Sequence, residues 1–225
     1  MYSNKRKFGD IYFGEKKKKK IELDDGSDNS SEPDIIKSLS KKMDKESKIE
    51  RDNNHIYFYS EVDRDSIYDL SVLIREAEEE SILTSLKLNI DEIPIFLHIS
   101  SFGGSVFAAF SAIDIIKACR VPIHTIIDGA TASAGTLISI AGKKRYMRPR
   151  SHMLIHQLSS SMWGKFAELE DEFNNLKGLM ENITDIYKEH ANIPKKELAQ
   201  LLKQDLWLNS DKCLTYGLVD ALWTK

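Results

Sequence analysis

The sequence predicts an α/β fold with largely parallel strands, and three observations predict it. Short apolar runs rich in Ile, Val, Phe and Tyr alternate along the chain with longer segments whose apolar residues recur every three or four positions. Strand and helix signals that alternate in this way belong to a parallel sheet covered by crossover helices. Hydrophobic residues make up 41% of the 225 residues, enough for one domain with a substantial core plus a tail.

Residues 1–51 read as a charged extension and residues 52–225 as the globular domain. The extension holds Lys5-Arg6-Lys7, the run Lys16–Lys20, and the acidic, serine-rich Asp24–Glu32. It lacks apolar periodicity, which is the composition of a mobile segment. Asp34–Ser47 alone has some helical character. The basic clusters suit a nuclear address or an anionic surface, but a solvated tail is the commoner meaning of such runs. Removal of the segment on maturation is a further reading.

The first strand is Ile56–Tyr59. A helix follows over Ser66–Glu80, with Ile67, Leu70, Leu73 and Ile74 on one side. Ile95–Ile99 is a second strand, and Gly103-Gly104 breaks the chain before a helix over Val106–Cys119. Val121–Ile127 is a strand with Pro122 at its start, where a missing N–H does least harm. A short apolar helix over Ala132–Ala141, a strand at Met153–Ile155, a long helix over Phe166–Ala191 and a shorter one over Pro194–Leu202 complete the pattern. The long helix carries Phe166, Leu169, Phe173, Leu176, Met180, Ile183 and Tyr187 as an apolar stripe.

Composition narrows the function. The formal net charge of −3 exerts no general pull on nucleic acid. Two cysteines, Cys119 and Cys213, build neither a disulfide framework nor a Cys-rich zinc site. They suit reduced thiols in an intracellular protein. No apolar run reaches the ~20 residues that span a bilayer. The charged N-terminus lacks the apolar stretch of a secretory signal, and Asp10, Glu15 and Glu22 argue against an organelle transit peptide. The expectation is a cytoplasmic protein, with nuclear and organellar locations left open.

Chemistry concentrates around Ser133. It lies in Gly129-Ala130-Thr131-Ala132-Ser133-Ala134-Gly135, where small neighbours let backbone and substrate come close. A serine at a helix start is most often an N-cap, but a cap does not require four small neighbours. His156, closing the run Met153-Leu154-Ile155, is the candidate base, and Gly103-Gly104 offers backbone N–H groups for an oxyanion. The stretch from Ala134 to Ile155 contains no Asp or Glu, and Thr131 stands where a G-x-S-x-G elbow needs its first glycine. That excludes the α/β-hydrolase order with this histidine and leaves the orienting acid to be found upstream or later. His98 and His124 fall within strands and read as core or edge residues; His190 ends a helix. His152 and His156, on one strand, stand roughly 13 Å apart, and without H-E-x-x-H they make no zinc pair.

With these residues in view, the chain resembles the ClpP family, the proteolytic subunit of the Clp protease, from about His55 to Trp223. Ser101-Phe102-Gly103-Gly104 resembles the family's Ser-Pro-Gly-Gly turn, and Gly129–Gly135 its nucleophile segment. Lys144-Arg145-Tyr146, Pro149, Ser151 and Met153–Gln157 resemble the stretch that ends in the family's histidine. Asp205-Leu206-Trp207-Leu208 and Tyr216–Asp220 resemble its aspartate segment and C-terminal signature. The resemblance implies Ser133 as nucleophile, His156 as general base, Asp205 as the orienting acid, and the N–H groups of Gly104 and Ala134 as the oxyanion hole. Asp211 and Asp220 fit the acid's motif less well. It implies a crotonase-like spiral of ββα units with a protruding handle helix, matched by Phe166–Ala191.

The resemblance further implies polypeptide substrates, heptameric rings stacked as a tetradecamer, and an AAA+ unfoldase that alone uses ATP. It implies no metal, no cofactor, and no nucleic-acid or membrane partner. Phe102 departs from the family's proline, Ser159-Ser160-Ser161 from its glycine-rich handle entry, and the charged extension from its axial-loop segment. Three other readings stand beside it: a structural ring subunit without activity, a crotonase-type acyl-CoA enzyme, and a signal-peptide-peptidase-like enzyme, for which the chain shows no anchor.

Overall fold

The structure, a computed structural model, describes residues 48–224. The expectations for residues 1–47, mobility and partial helicity over Asp34–Ser47, lie outside the described residues. The elements run β1 (Lys48–Asp52), β2 (His55–Tyr59), α1 (Arg64–Leu88), β3 (Ile95–Ser101), α2 (Val106–Ala118), β4 (Ile123–Ala132), α3 (Ala134–Ile140), β5 (Lys144–Met147), β6 (His152–Leu154), α4 (Phe166–His190), α5 (Lys195–Leu201), β7 (Leu208–Asn209), α6 (Ser210–Thr215) and β8 (Ala221–Leu222).

The strands form one sheet in the order β1-β2-β3-β4-β5-β8, with β6 pairing both β4 and β7. From β2 to β8 the main path is parallel, whereas β1 against β2 and β6 against β7 are antiparallel. The register sets Ile56 beside Leu97 and Phe58 beside Ile99, so one face of the sheet is a ladder of fully buried apolar side chains. Ile67, Leu70 and Ile74 of α1, Ala109 and Ile113 of α2, and Leu137 and Ile138 of α3 join them in the core. The opposite face carries rings: Tyr57, Phe96, His98, His124, Tyr146 and Trp223 meet in stacked and edge-on contacts.

The α/β class holds, while several element boundaries differ from expectation and three short elements, β7, α6 and β8, join the expected set. Residues 48–51, read as the end of the extension, form most of β1. Only Ile49 and Arg51 turn partly inward there, a charged edge pattern that periodicity does not register. Helix α1 opens on a capping box between Asp63 and Ser66 and runs past Glu80 to Leu88, where Asn89 closes it at φ 51°. Strand β4 continues to Ala132, because pairing of Ala130, Thr131 and Ala132 with β6 overrides alanine's helical preference. Strand β5 arises within the basic stretch, with Tyr146 and Met147 paired on both sides.

Candidate active site

Ser133 sits where β4 turns into α3. Its backbone holds φ 60° and ψ −128°, a conformation that costs a non-glycine residue about 1–3 kcal/mol. The hydroxyl makes no capping bond to the helix, so the ordinary N-cap role does not apply. Ser133 is buried, and its Oγ has no hydrogen-bond partner among the described residues. Its backbone is tied down instead. The Ser133 N–H donates to the Leu154 carbonyl at 2.9 Å, and its carbonyl accepts from Thr136 Oγ1 at 2.6 Å. Thr136 Oγ1 in turn lies 2.5 Å from the hydroxyl of Tyr187, a fully buried residue of α4. This brace from the long helix to the serine is invisible in sequence, where Tyr187 reads only as part of the apolar stripe.

Gly103 lies against the serine and Gly104 against Val62. A Cβ at Gly103 would stand 2.6 Å from Ser133 Cβ and 3.0 Å from both Ser133 Oγ and the Ala134 nitrogen, and φ is +99°. At Gly104 a Cβ would collide with the Val62 carbonyl oxygen. Val62 donates to the Gly103 carbonyl at 2.7 Å, and Ser105 donates to the Val62 carbonyl at 2.6 Å. Since alternate backbone groups of an extended segment point to opposite sides, the Gly104 N–H faces away from Val62. Ala134 opens α3, and a first-turn N–H has no acceptor within its own helix. The Ala134 N–H follows Ser133 directly and the Gly104 N–H follows the glycine packed on it, so both are candidate donors for an anionic oxygen.

Pairing of β6 with β4 sets Leu154 beside Ala132 and so carries His156 to the serine's end of the sheet. The segment after α5 is pinned by the Gln157 N–H, which donates to the Leu202 carbonyl at 2.6 Å, and by the pairing of Met153 with Leu208. Asp205 lies between these anchors, with its Oδ1 3.2 Å from His156 Nδ1. The imidazole is mostly buried, while the carboxylate is 79% exposed. Burial pushes the His156 pKa below its ordinary value, and the charge and hydrogen bond of Asp205 pull it partly back. The rival acids are engaged elsewhere. Asp220 forms an ion pair with Arg145, and Asp211 lies in the first turn of α6.

The structure thus joins His156 to Asp205 and sets Gly103 on Ser133, but no hydrogen bond links Ser133 Oγ to the imidazole. A free enzyme's catalytic hydrogen bonds are often long and tighten only with substrate bound. Among the described residues, no group of three or more His, Cys, Asp or Glu is placed to hold a metal ion, and no helix is long and apolar enough to cross a membrane.

A second Asp–His contact was not foreseen. Asp128, five residues before the serine on β4, lies 2.8 Å from the Nδ1 of buried His98 and accepts from the Tyr59 hydroxyl at 2.8 Å and Arg148 Nε at 2.5 Å. The far nitrogen of His98 is 3.0 Å from His55 Nδ1. Tyr59, His98 and Arg148 all bond to the one Asp128 carboxylate, a polar cluster that ties β2, β3 and β4 together.

The chain is similar to known proteins over most of its length. The Clp protease family model matches residues 50–225. The ATP-dependent Clp protease proteolytic subunit 2 of Treponema denticola is 34% identical over 131 residues, 57% of this chain and 66% of that protein. The proteolytic subunit of Deinococcus radiodurans is 29% identical over 169 residues, 73% of this chain and 83% of that protein. Among solved structures, a ClpP1 variant from Listeria monocytogenes superimposes with a TM-score of 0.66 at 23% identity, over 83% of this chain and 96% of its own. The fold is therefore that of ClpP.

Proposed function

This chain belongs to the Clp protease family, and on that premise we propose that it is a serine endopeptidase cleaving unfolded polypeptides as the proteolytic subunit of a Clp-type complex. Ser133 Oγ attacks the scissile carbonyl and His156 accepts its proton. Asp205 holds the imidazole in the tautomer that presents Nε2 to the serine and steadies the imidazolium that forms. The N–H groups of Gly104 and Ala134 receive the oxyanion, an arrangement in which one donor is worth roughly 3 kcal/mol. His156 returns the proton to the departing amine. Water then hydrolyses the acyl-serine by the same route in reverse, and no step uses a metal or cofactor.

One observation carries this reading. Ser133 is held in a strained turn that no capping role explains, packed on Gly103, at the end of the sheet that also holds the His156–Asp205 contact. Assembly follows the family: heptameric rings stacked in pairs, fed by an AAA+ unfoldase, in the cytoplasm. The exposed apolar residues Met162 and Trp163 before α4 and Phe166 and Phe173 in its first turns support burial of that helix between rings. Native mass measurement alongside a peptide hydrolysis assay tests both parts. Wild type and Ser133→Ala should both run as tetradecamers, and only wild type should turn over peptide. Equal turnover by the two would refute the assignment of the nucleophile, and equal absence of turnover would support a purely structural subunit.

A further inference from the structure

Backbone strain of the kind seen at Ser133 persists only where the surroundings over-determine it, and two buried hydroxyls supply part of the hold. The Ser133 carbonyl accepts twice from one residue of α3, from the Thr136 N–H at 2.9 Å and from Thr136 Oγ1 at 2.6 Å. A threonine hydroxyl owns a single proton. With that proton on the Ser133 carbonyl, Oγ1 can only accept at its second contact, so the Tyr187 hydroxyl, 2.5 Å away, donates to it. The relay runs from Tyr187 through Thr136 to the Ser133 carbonyl, and both side chains are fully buried. Ile183 and Tyr187 are the buried residues of α4, so the tyrosine is fixed where that helix docks on the core.

The peptide plane gripped in this way carries an oxyanion donor at its other end. The Ser133 carbonyl and the Ala134 N–H belong to one planar trans amide and point in opposite directions. Whatever fixes the carbonyl therefore fixes the aim of the N–H. Hydrogen bonds in a chain also polarise one another, so the tyrosine strengthens the threonine's bond, and that bond in turn strengthens the amide as a donor. We propose that Thr136 and Tyr187 are positioning residues for peptide hydrolysis, holding the Ser133–Ala134 peptide plane so that the Ala134 N–H meets the transition-state oxygen. The proposal rests on the peptidase reading above. Neither hydroxyl is open to substrate; both act through the backbone of the nucleophile.

Tyr187→Phe and Thr136→Val each delete one hydroxyl and keep the volume, and Thr136→Ser keeps the hydroxyl. Cleavage of a short fluorogenic peptide by the full-length assembled protein reads kcat and KM. A peptidyl trifluoromethyl ketone of the same sequence reads the oxyanion hole. Ser133 Oγ adds to its carbonyl carbon, the serine's proton passes to His156, and the carbonyl oxygen becomes the anion. Loss of a whole oxyanion donor costs roughly 10²–10³-fold in kcat, so a donor kept but loosened should cost roughly tenfold. Thr136→Val should lower kcat by that factor and Tyr187→Phe by somewhat less, both at nearly unchanged KM. Each should weaken the ketone's Ki by the factor lost in kcat. Thr136→Ser should stay within about twofold of wild type. Adding Tyr187→Phe to Thr136→Val should slow the enzyme no further, because the tyrosine acts through the threonine's hydroxyl. If Thr136→Val, which strands the tyrosine hydroxyl, fails to assemble, Tyr187→Phe decides alone. Unchanged kcat in Tyr187→Phe, or KM and Ki rising together at constant kcat, would reduce the pair to core packing and overturn the proposal. Full additivity in the double variant would overturn the relay. Fluorophosphonate labelling separates these failures from that of the peptidase reading. Wild type that labels at Ser133 and cleaves, beside variants equal to it, refutes the positioning role alone; wild type that neither labels nor cleaves refutes both.

Discussion

Replacing Gly103 with alanine strikes the proposed site at its tightest contact. The added Cβ would stand 2.6 Å from Ser133 Cβ and 3.0 Å from Ser133 Oγ and the Ala134 nitrogen. Carbon atoms prefer separations of about 3.5–4.0 Å, so the serine, the turn or both must yield by about 1 Å. Overpacking of that order costs roughly 1–3 kcal/mol. Residue 103 also holds φ +99°, and an L side chain in left-handed backbone adds about 1–2 kcal/mol. The total, about 2–5 kcal/mol, corresponds to a fall in Tm of roughly 4–20 °C for a chain of this size. The chemical effect follows from displacement, since a misplacement of about 1 Å at a reacting atom costs of order a hundredfold in rate. Calorimetry and the kcat/KM of a short fluorogenic peptide read the two effects separately. A Gly103→Ala protein with wild-type kcat/KM and wild-type Tm would show that residue 103 does not pack on a working nucleophile.

Two further predictions concern the ionisable pairs. Burial lowers the His156 pKa and Asp205 opposes that shift, so the neutral, basic imidazole should be lost only as pH falls below the usual histidine range. Asp205→Asn removes the opposing charge. It should lower kcat by roughly 10²–10⁴-fold and move the acid limb of the residual kcat/KM profile to lower pH; movement to higher pH would contradict the pairing. At Asp128, burial pushes the carboxyl pKa up, but hydrogen bonds from His98, Tyr59 and Arg148 outweigh it and hold the pKa below its ordinary value. The carboxylate therefore stabilises the fold above its unfolded-state pKa, and that contribution fades as pH falls through the lower folded value. Asp128→Ala should cost about 3–5 kcal/mol near neutral pH in denaturant titration, with the gap from wild type closing in strong acid.

Much of this architecture was legible because burial and periodicity coincide. Ile56, Phe58, Leu97 and Ile99 lie on the covered face of the sheet, and the apolar stripe that ends at Tyr187 does mark one helix, although burial follows it only at Ile183 and Tyr187 and leaves Phe166 and Phe173 exposed. The sequence concealed what tertiary pairing decides. Charged β1 and β5 are strands because neighbours complete their hydrogen bonds, and Ala130–Ala132 extends a strand because β6 lies alongside. In the candidate site, Ser133, His156 and the glycine pair could be picked out as residue types in a telling order. The acid could not be chosen from composition or spacing; only the resemblance pointed to Asp205, and the contact with His156 depends on how the segment between Leu202 and Leu208 is pinned. His98 reads in the sequence only as a core or edge residue of its strand, and nothing local marks Asp128 as its partner. Their partners Tyr59 and Arg148 are brought in by the sheet and by the chain after β5.

Whether the hydroxyl of Ser133 is the activated nucleophile can be read directly by treating the assembled protein with a fluorophosphonate and mapping the adduct by peptide mass spectrometry. The account predicts one modified residue, Ser133, with labelling abolished by Ser133→Ala and slowed at least a hundredfold by His156→Ala. An unmodified wild-type protein, or an adduct carried by a different serine, would contradict it.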